Sequence, residues 1–399
     1  MNLFQKIYCR TYQLGMRVAM PMMPYREPEI LNSVAEIPAI LEGKEINKVL
    51  VVTDAGIRGL GLDKGLLRSL RDAKVKYEVF EDVMPNPTID VVEKGVELYN
   101  ASSCMAIIAL GGGSVIDCAK AIGARIANPN KSLKKMKGLL KVKGPLPLFF
   151  AIPTTAGTGS ETTVTAVITD GTTHEKYTIN DFDLIPNYAV LDASLTLGLP
   201  INLTVTTGLD ALTHAIEAYI GGSTTNDTRR HALEAARLIF ENLPRVCEDG
   251  KNERARANML KASYQAGLAF TKSYVGYVHA VAHTLGGKYG IAHGLANAVL
   301  LPYVLGEYGT VIHKKLKVMA VYCNIARPYD NEQIASNKLI NKIIEINEQY
   351  GIPKTFDCIV EQDIPMLARI ASAEANPLYP VPKLMNAKEL EKFYYKVKA

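Results

Sequence analysis

The sequence predicts an α/β domain with a Rossmann-like, mostly parallel sheet over residues 1–199, followed by an all-α domain over residues 200–399. Three observations predict this. Short apolar, β-branched runs alternate with helical patterns up to about residue 200, as in a parallel sheet covered on both faces. After Pro200 the texture becomes Ala- and Leu-rich at helical spacing, and no convincing strand remains. The chain is also too long for one ordinary core, so two domains of about 200 residues each are expected.

The elements follow in order. An N-terminal arm, residues 1–28, interleaves Lys6, Arg10 and Arg17 with apolar side chains and ends in a Pro-rich linker. Gln13 and Arg17 interrupt its apolar run, so the expectation is a helix packed on the protein or on a partner subunit, not a signal peptide. Residues 48–54, KVLVVTD, read as a buried strand, and YEVFEDV as a second, stopped by Pro85 and Pro87. A helix over 88–99 leads to the strand in CMAIIALGGGS, and a helix over 115–127 follows. The six lysines between Lys131 and Lys143 read as a solvated loop. LPLFFAIP is a further buried strand, TAVITD and HEKYTIN an antiparallel hairpin, and YAVLDA the last strand. Helices are expected over 209–220, 228–242, 253–270 and 278–285, with more to the C-terminus.

Composition excludes several classes. Hydrophobic content of 48% with 21% charged residues describes a soluble globular protein, and +5 is too weak a charge to imply nucleic acid. No stretch reaches membrane-span length. Six scattered cysteines without a Cys-x-x-Cys pair suit reduced thiols in a cytoplasm and argue against a sulfur-based structural zinc.

Two glycine-rich loops sit at strand ends. Gly112, Gly113 and Ser114, in GGGSVID, stand where a strand gives way to a helix, whose free N–H groups and positive dipole end favour a phosphate. Ser114 and Asp117 lie in the first turn, where side-chain oxygens can cap amides. TTAGTGSE adds hydroxyls from Thr154, Thr155 and Thr158. Two such loops on one sheet fit a dinucleotide lying across its crevice. Asp54, ending its own strand, is placed to accept from ribose hydroxyls and would repel a 2′-phosphate, which favours NAD over NADP. It precedes the first glycine loop by 57 residues, whereas in the usual fold the acid follows by about 20, so the topology is not the standard one.

The helical half carries the other chemistry. His279 and His283 are four apart, as are Asp210 and His214, and each pair therefore shares a helical face. Gly286, Gly287 and Gly290 are expected to break the helix and let the chain return with His293. A lone histidine on an apolar helix is usually a hydrogen-bonded core residue. Four residues at these spacings suggest instead a metal site of one carboxylate and three imidazoles: Asp210, His214, His279 and His293. Such a set suits Fe(II) or Zn(II) without choosing between them. His283 points to the same region without being needed as a ligand, and is the candidate proton-transfer residue. His174, His231 and His313 are expected to be surface or packing residues.

Together VVTD, MPNPT, GGGSVIDCAKAIG, PTTAGTGSE, LDASLTLGLPINLTVTTGLDALTHAIE and HAVAHTLGGKYGIAHGLANAVLLP resemble the iron-containing, group III alcohol dehydrogenases of the dehydroquinate synthase-like superfamily. The resemblance implies an NAD(P)-binding α/β domain, a helical metal domain with Asp210, His214, His279 and His293 as ligands, and an active site in the cleft between them. It implies Fe(II), and places His283 near the nicotinamide and the reacting oxygen. It puts Asp54, Asn86, Gly112, Gly113, Ser114, Asp117, Thr154, Thr155, Thr158, Thr163 and Lys176 along the dinucleotide; Lys176 rests on the resemblance alone. The expected activity is interconversion of a small primary alcohol and its aldehyde, in a homodimer or larger homo-oligomer. A superfamily lyase or synthase using NAD without net turnover, and a non-catalytic NAD-binding protein, are the alternatives. Departures lie at the ends: an arm longer than in shorter members, and a segment, ASAEANPLYPVPK, that keeps Asn376-Pro377 but lacks a threonine expected just before it.

Overall fold

A computed structural model of the chain describes every residue except His174, and Pro21 by its backbone alone; the expectation for His174 therefore lies outside the described residues. The chain forms two compact units. The α/β unit comprises Pro24–Leu199 and Gly250–Leu260, and the helical unit comprises Met1–Met23, Pro200–Asp249 and Lys261–Ala399. The first helix, α1 (Leu3–Ala19), is thus part of the helical unit although it precedes the α/β unit in the chain.

The α/β unit runs β1 (Glu29–Leu31), α2 (Ile37–Gly43), β2 (Lys48–Val52), α3 (Ala55–Gly59), α4 (Lys64–Asp72), β3 (Lys76–Phe80), α5 (Ile89–Ala101), β4 (Ala106–Gly111) and α6 (Gly113–Ala127). Then come α7 (Leu133–Met136), β5 (Gly138–Leu139), β6 (Leu148–Pro153), β7 (Thr165–Thr169), β8 (Lys176–Asn180) and β9 (Tyr188–Val190). Six strands form a wholly parallel sheet in the order β1-β9-β6-β4-β2-β3. The unbroken apolar strands follow from burial of both faces. Val49 and Val51 pack with Ile37, Leu41 and Leu70 on one side, whereas Leu50 and Val52 pack with Val92, Val96 and Ile122 on the other.

One strand was not expected, and one expectation needs correction. The stretch taken as a linker is followed directly by the edge strand β1, whose three residues are too few to show a period. The lysine run is not only a solvated loop. It holds α7, with Leu133 and Met136 fully buried, and β5, which joins β7 and β8 in a three-stranded sheet. Most of the lysines are exposed, as are Leu139 and Leu140, while buried Leu133, Met136 and Val142 anchor the segment.

The helical unit follows as α8 (Ile201–Ile220), α9 (Asn226–Glu248), α10 (Glu253–Ser273), α11 (Tyr277–Tyr289), α12 (His293–Tyr308), α13 (Thr310–Tyr322), α14 (Glu332–Gln349), α15 (Ile364–Ala375) and α16 (Ala387–Val397). The first turns of α10 belong to the α/β unit. Gly286 and Gly287 do not break α11; they lie inside it, and only Gly290, left-handed at φ +70°, ends it. Three residues later α12 begins at His293. No helix among the described residues is long and apolar enough to cross a membrane.

Candidate metal centre and dinucleotide-binding loops

α8 is buried along almost its whole length and presents Asp210 and His214 on one face; α11 presents His279, and the first residue of α12 is His293. One ligand atom from each of these four residues lies within 4.8 Å of the others. The approach of α12 to α8 requires a glycine after His293, because a Cβ on Gly294 would lie 2.4 Å from the Thr206 carbonyl oxygen. Asp210, His214 and His279 are buried, and the His293 side chain is 40% exposed, so the cluster has one open side. His283 stacks on His293 at that side, with ring centroids 5.2 Å apart.

The donor chemistry fits a divalent cation. His293 Nε2 and His279 Nε2 lie 3.4 and 3.9 Å from Asp210 Oδ1. Burial and the neighbouring imidazoles push His279 well below the ordinary histidine range, keeping it neutral with a lone pair to offer. Asn297, one turn beyond His293, donates from Nδ2 to Asp210 Oδ1 at 2.7 Å, and the same nitrogen lies 3.2 Å from His279 Nε2 and 3.1 Å from His293 Nε2. Three lone-pair carriers thus converge on one point. The other amide atom, Asn297 Oδ1, is buried with no hydrogen-bond partner among the described residues.

Sequence reasoning missed three residues that support this cluster. Glu217 accepts from the amides of Gly276 and Val278 at 2.8 Å each and lies 2.6 Å from His279 Nδ1. Fixing Nδ1 as the donor turns Nε2 toward the cluster. Glu217 was findable: with Asp210 and His214 it completes an i, i+4, i+7 stripe on α8. Asn297 stands four residues after His293, an equally readable spacing. Glu374, 2.7 Å from His283 Nδ1, is 91 residues away in sequence, and no local pattern reports that contact.

In the α/β unit, β4 is central, with β6 on one side and β2 on the other. β2 leads outward to β3 while the later strands add on the far side of β4, so the order reverses between β2 and β4. Ligands of parallel sheets bind beyond the strand C-termini at such a point. Asp54 follows β2, Gly112 and Gly113 follow β4, and Thr154, Thr155 and Thr158 follow β6. Gly112 caps α6 with no side chain occupying its amides. The two loops touch: a Cβ on Gly113 would lie 2.9 Å from Thr158 Cγ2, and one on Gly112 would face Thr155 Oγ1 at 3.8 Å. Gly112, Gly113, Ser114, Thr155 and Thr158 are all half-buried, as a cradle open to a phosphate requires.

The remaining residues divide by position. Asp54 Oδ1 accepts from Ile57 N at 2.9 Å and so also caps α3. Asn86, between its two prolines, is left-handed at φ +60°, a conformation asparagine tolerates. Lys176 is exposed on β8. Asp117 and Thr163 hold the wall together: Asp117 accepts from Ser160 Oγ at 2.6 Å and Val167 N at 3.1 Å, while buried Lys120 donates to Thr163 O and Oγ1 at 2.8 Å. Burial pushes Lys120 down to about 8. Its signal was available, as the one charge in the apolar stretch CAKAIGA. Of the other histidines, His231 is buried against Gln265 and His313 is half-buried.

Comparison with known proteins agrees with this arrangement. The family model "Iron-containing alcohol dehydrogenase" matches residues 31–193, and "Fe-containing alcohol dehydrogenase family, C-terminal" matches residues 204–397. The 1,3-propanediol dehydrogenase of Citrobacter freundii is 37% identical over 94% of this chain and 96% of its own. The NAD-dependent methanol dehydrogenase of Bacillus methanolicus is 35% identical over 85% of this chain and 90% of its own. A crystal structure of 1,3-propanediol oxidoreductase superimposes with a TM-score of 0.90 at 34% identity, covering 94% of this chain and 99% of that one. With the parallel sheet, the helical unit and both family signatures in place, the chain belongs to the iron-containing alcohol dehydrogenase family.

Proposed function

We propose that this chain is an NAD-linked, iron-type dehydrogenase that interconverts small primary alcohols and their aldehydes, with Asp210, His214, His279 and His293 holding the ion. The observation that carries the reading is the convergence of these four ligand atoms within 4.8 Å. Fe(II) is the ion of the family, and Zn(II) suits the same donors. The relatives named for 1,3-propanediol and methanol favour a short substrate. The six cysteines are all free thiols, which supports a cytoplasmic setting.

When bound at Asp210, His214, His279 and His293, a divalent ion would supply Lewis acidity toward an alcohol hydroxyl, and a bound nicotinamide would supply the hydride acceptor. The protein's own residues do the rest. Gly112, Gly113, Ser114, Thr155 and Thr158 hold the pyrophosphate, and Asp54 accepts from the ribose. Glu217 fixes His279 as a neutral ligand. His283 takes the hydroxyl proton at Nε2 and passes it to solvent; in the reverse direction it returns one to the nascent alcohol.

The test is NADH formation followed by absorbance, across primary alcohols and diols, with the enzyme loaded separately with Fe(II) and Zn(II) and its metal content measured. Turnover with a short primary alcohol supports the proposal. A metal-loaded enzyme that binds NAD but releases no NADH with any alcohol would point to a superfamily lyase or synthase instead.

A further inference from the structure

We propose that Glu374 is a positioning residue for His283, and that α1 braces it through the segment carrying Tyr379; this rests on the proton-transfer role given to His283 above. Glu374 stands in the last turn of α15, and its Oε1 lies 2.7 Å from His283 Nδ1 and accepts from the Tyr379 hydroxyl at 2.7 Å. A carboxylate can only accept, so Nδ1 carries the proton and the lone pair is on Nε2. The imidazole is thereby fixed in rotation and tautomer at the open side of the metal cluster.

The brace is specific in its contacts. Tyr379 is buried, and its carbonyl accepts from Gln13 Nε2 at 2.7 Å. The same amide reaches the Pro377 carbonyl at 3.2 Å. One turn earlier on α1, Arg10 donates to the Val381 carbonyl at 2.8 Å, the Pro382 carbonyl at 3.0 Å and Gln13 Oε1 at 2.8 Å. Gln13 is itself only 6% exposed, an uncommon place for a primary amide unless its bonds are needed. From the other side, the Tyr277 hydroxyl lies 3.0 Å from Asn376 Oδ1 and accepts from Met385 N at 2.8 Å, tying α11 to the same segment. The arm and the segment around Asn376 therefore meet each other, and Tyr379 links their contact to Glu374.

Kinetics and a spectroscopic readout together test this. In zinc-loaded protein with 15N-labelled histidine, NMR should report His283 as the Nδ1–H tautomer, and Glu374→Ala should convert it to a mixture. Glu374→Ala should lower kcat by about 10–100-fold, the range of second-sphere partners, with zinc content, NAD affinity and KM nearly unchanged. Glu374→Gln, whose amide oxygen still accepts from Nδ1, should recover most of the loss. Gln13→Ala should lower kcat several-fold in the same manner. An Nε2–H tautomer in the unaltered protein, or full kcat in Glu374→Ala beside a slowed His283→Ala, overturns the positioning role alone. Full kcat in His283→Ala overturns the proton-transfer reading and this proposal together.

Discussion

Glu217 Oε2 lies 2.6 Å from His279 Nδ1, and both side chains are almost completely buried. The same carboxylate closes the N-terminus of α11 by accepting from the amides of Gly276 and Val278. Burial pushes Glu217 up to about 7, against the pull of those amides and of the His279 backbone amide. Glu217→Gln replaces one acceptor oxygen by a donor facing these N–H groups. The expected result is metal binding weakened by about 10–100-fold, with stability lower by about 1–3 kcal/mol from the unpaired amide. Competition with a chelator and urea unfolding measure the two effects.

The ligands and the proton-transfer residue should separate cleanly on substitution. His279→Ala is expected to lose the ion and turnover together. His283→Ala is expected to keep the ion and lose about 10²–10⁴-fold in kcat. Metal analysis beside steady-state kinetics distinguishes them; full activity in His279→Ala would rule out the assigned centre.

Two glycines near His293 should respond differently to alanine. At Gly294 the new Cβ would meet backbone, the Thr206 carbonyl at 2.4 Å, so α12 must move away from α8 and carry His293 with it. Metal affinity should fall, with a stability loss of about 1–3 kcal/mol. At Gly290 nothing lies within 4 Å, and the only penalty is the left-handed backbone at φ +70°. Gly290→Ala should cost about 1 kcal/mol and leave the bound metal unchanged. Thermal melts with and without metal are the comparison.

Glu161 should make the α/β unit sensitive to pH. It is 1% exposed, and neither carboxyl oxygen has a hydrogen-bond partner among the described residues. Burial raises it to about 7, opposed by the charge of Lys120. A folded-state pKa above the unfolded one means the fold holds the extra proton. Its stabilising contribution is complete below about pH 4.5 and is lost as pH rises through about 7. Glu161→Gln stays neutral, so its stability relative to the unaltered protein should rise by about 1–3 kcal/mol between pH 5 and pH 8. Urea midpoints at the two pH values give the answer; a difference independent of pH would contradict it.

How much of this was readable in the sequence depended on the range of each contact. The parallel sheet announced itself because strands buried on both faces are apolar throughout, as in β2 and β4. Asp210, His214, His279 and His293 were readable because two pairs repeat the helical period and the fourth follows a glycine turn. Glu217 and Asn297 obey the same spacings, but a glutamate or an asparagine on a helix ordinarily reads as solvent-facing. β1 and β5 were hidden by their brevity, and α7 by its lysines. Gly286 and Gly287 misled because two glycines suggest a helix end, whereas the surrounding residues of α11 pack well enough to carry them. Glu374 lay beyond any local pattern.

The contact between Arg10 and the Val381 carbonyl spans 371 residues. In a chain made from its N-terminus, α1 leaves the ribosome long before the backbone that receives it, which follows 371 residues later. Through the synthesis of the intervening residues, the buried side chains of α1, Cys9 and Gln13, wait without their docking site. The order in which the chain is built therefore leaves the seating of α1 until after α8, α11 and α12 have been completed.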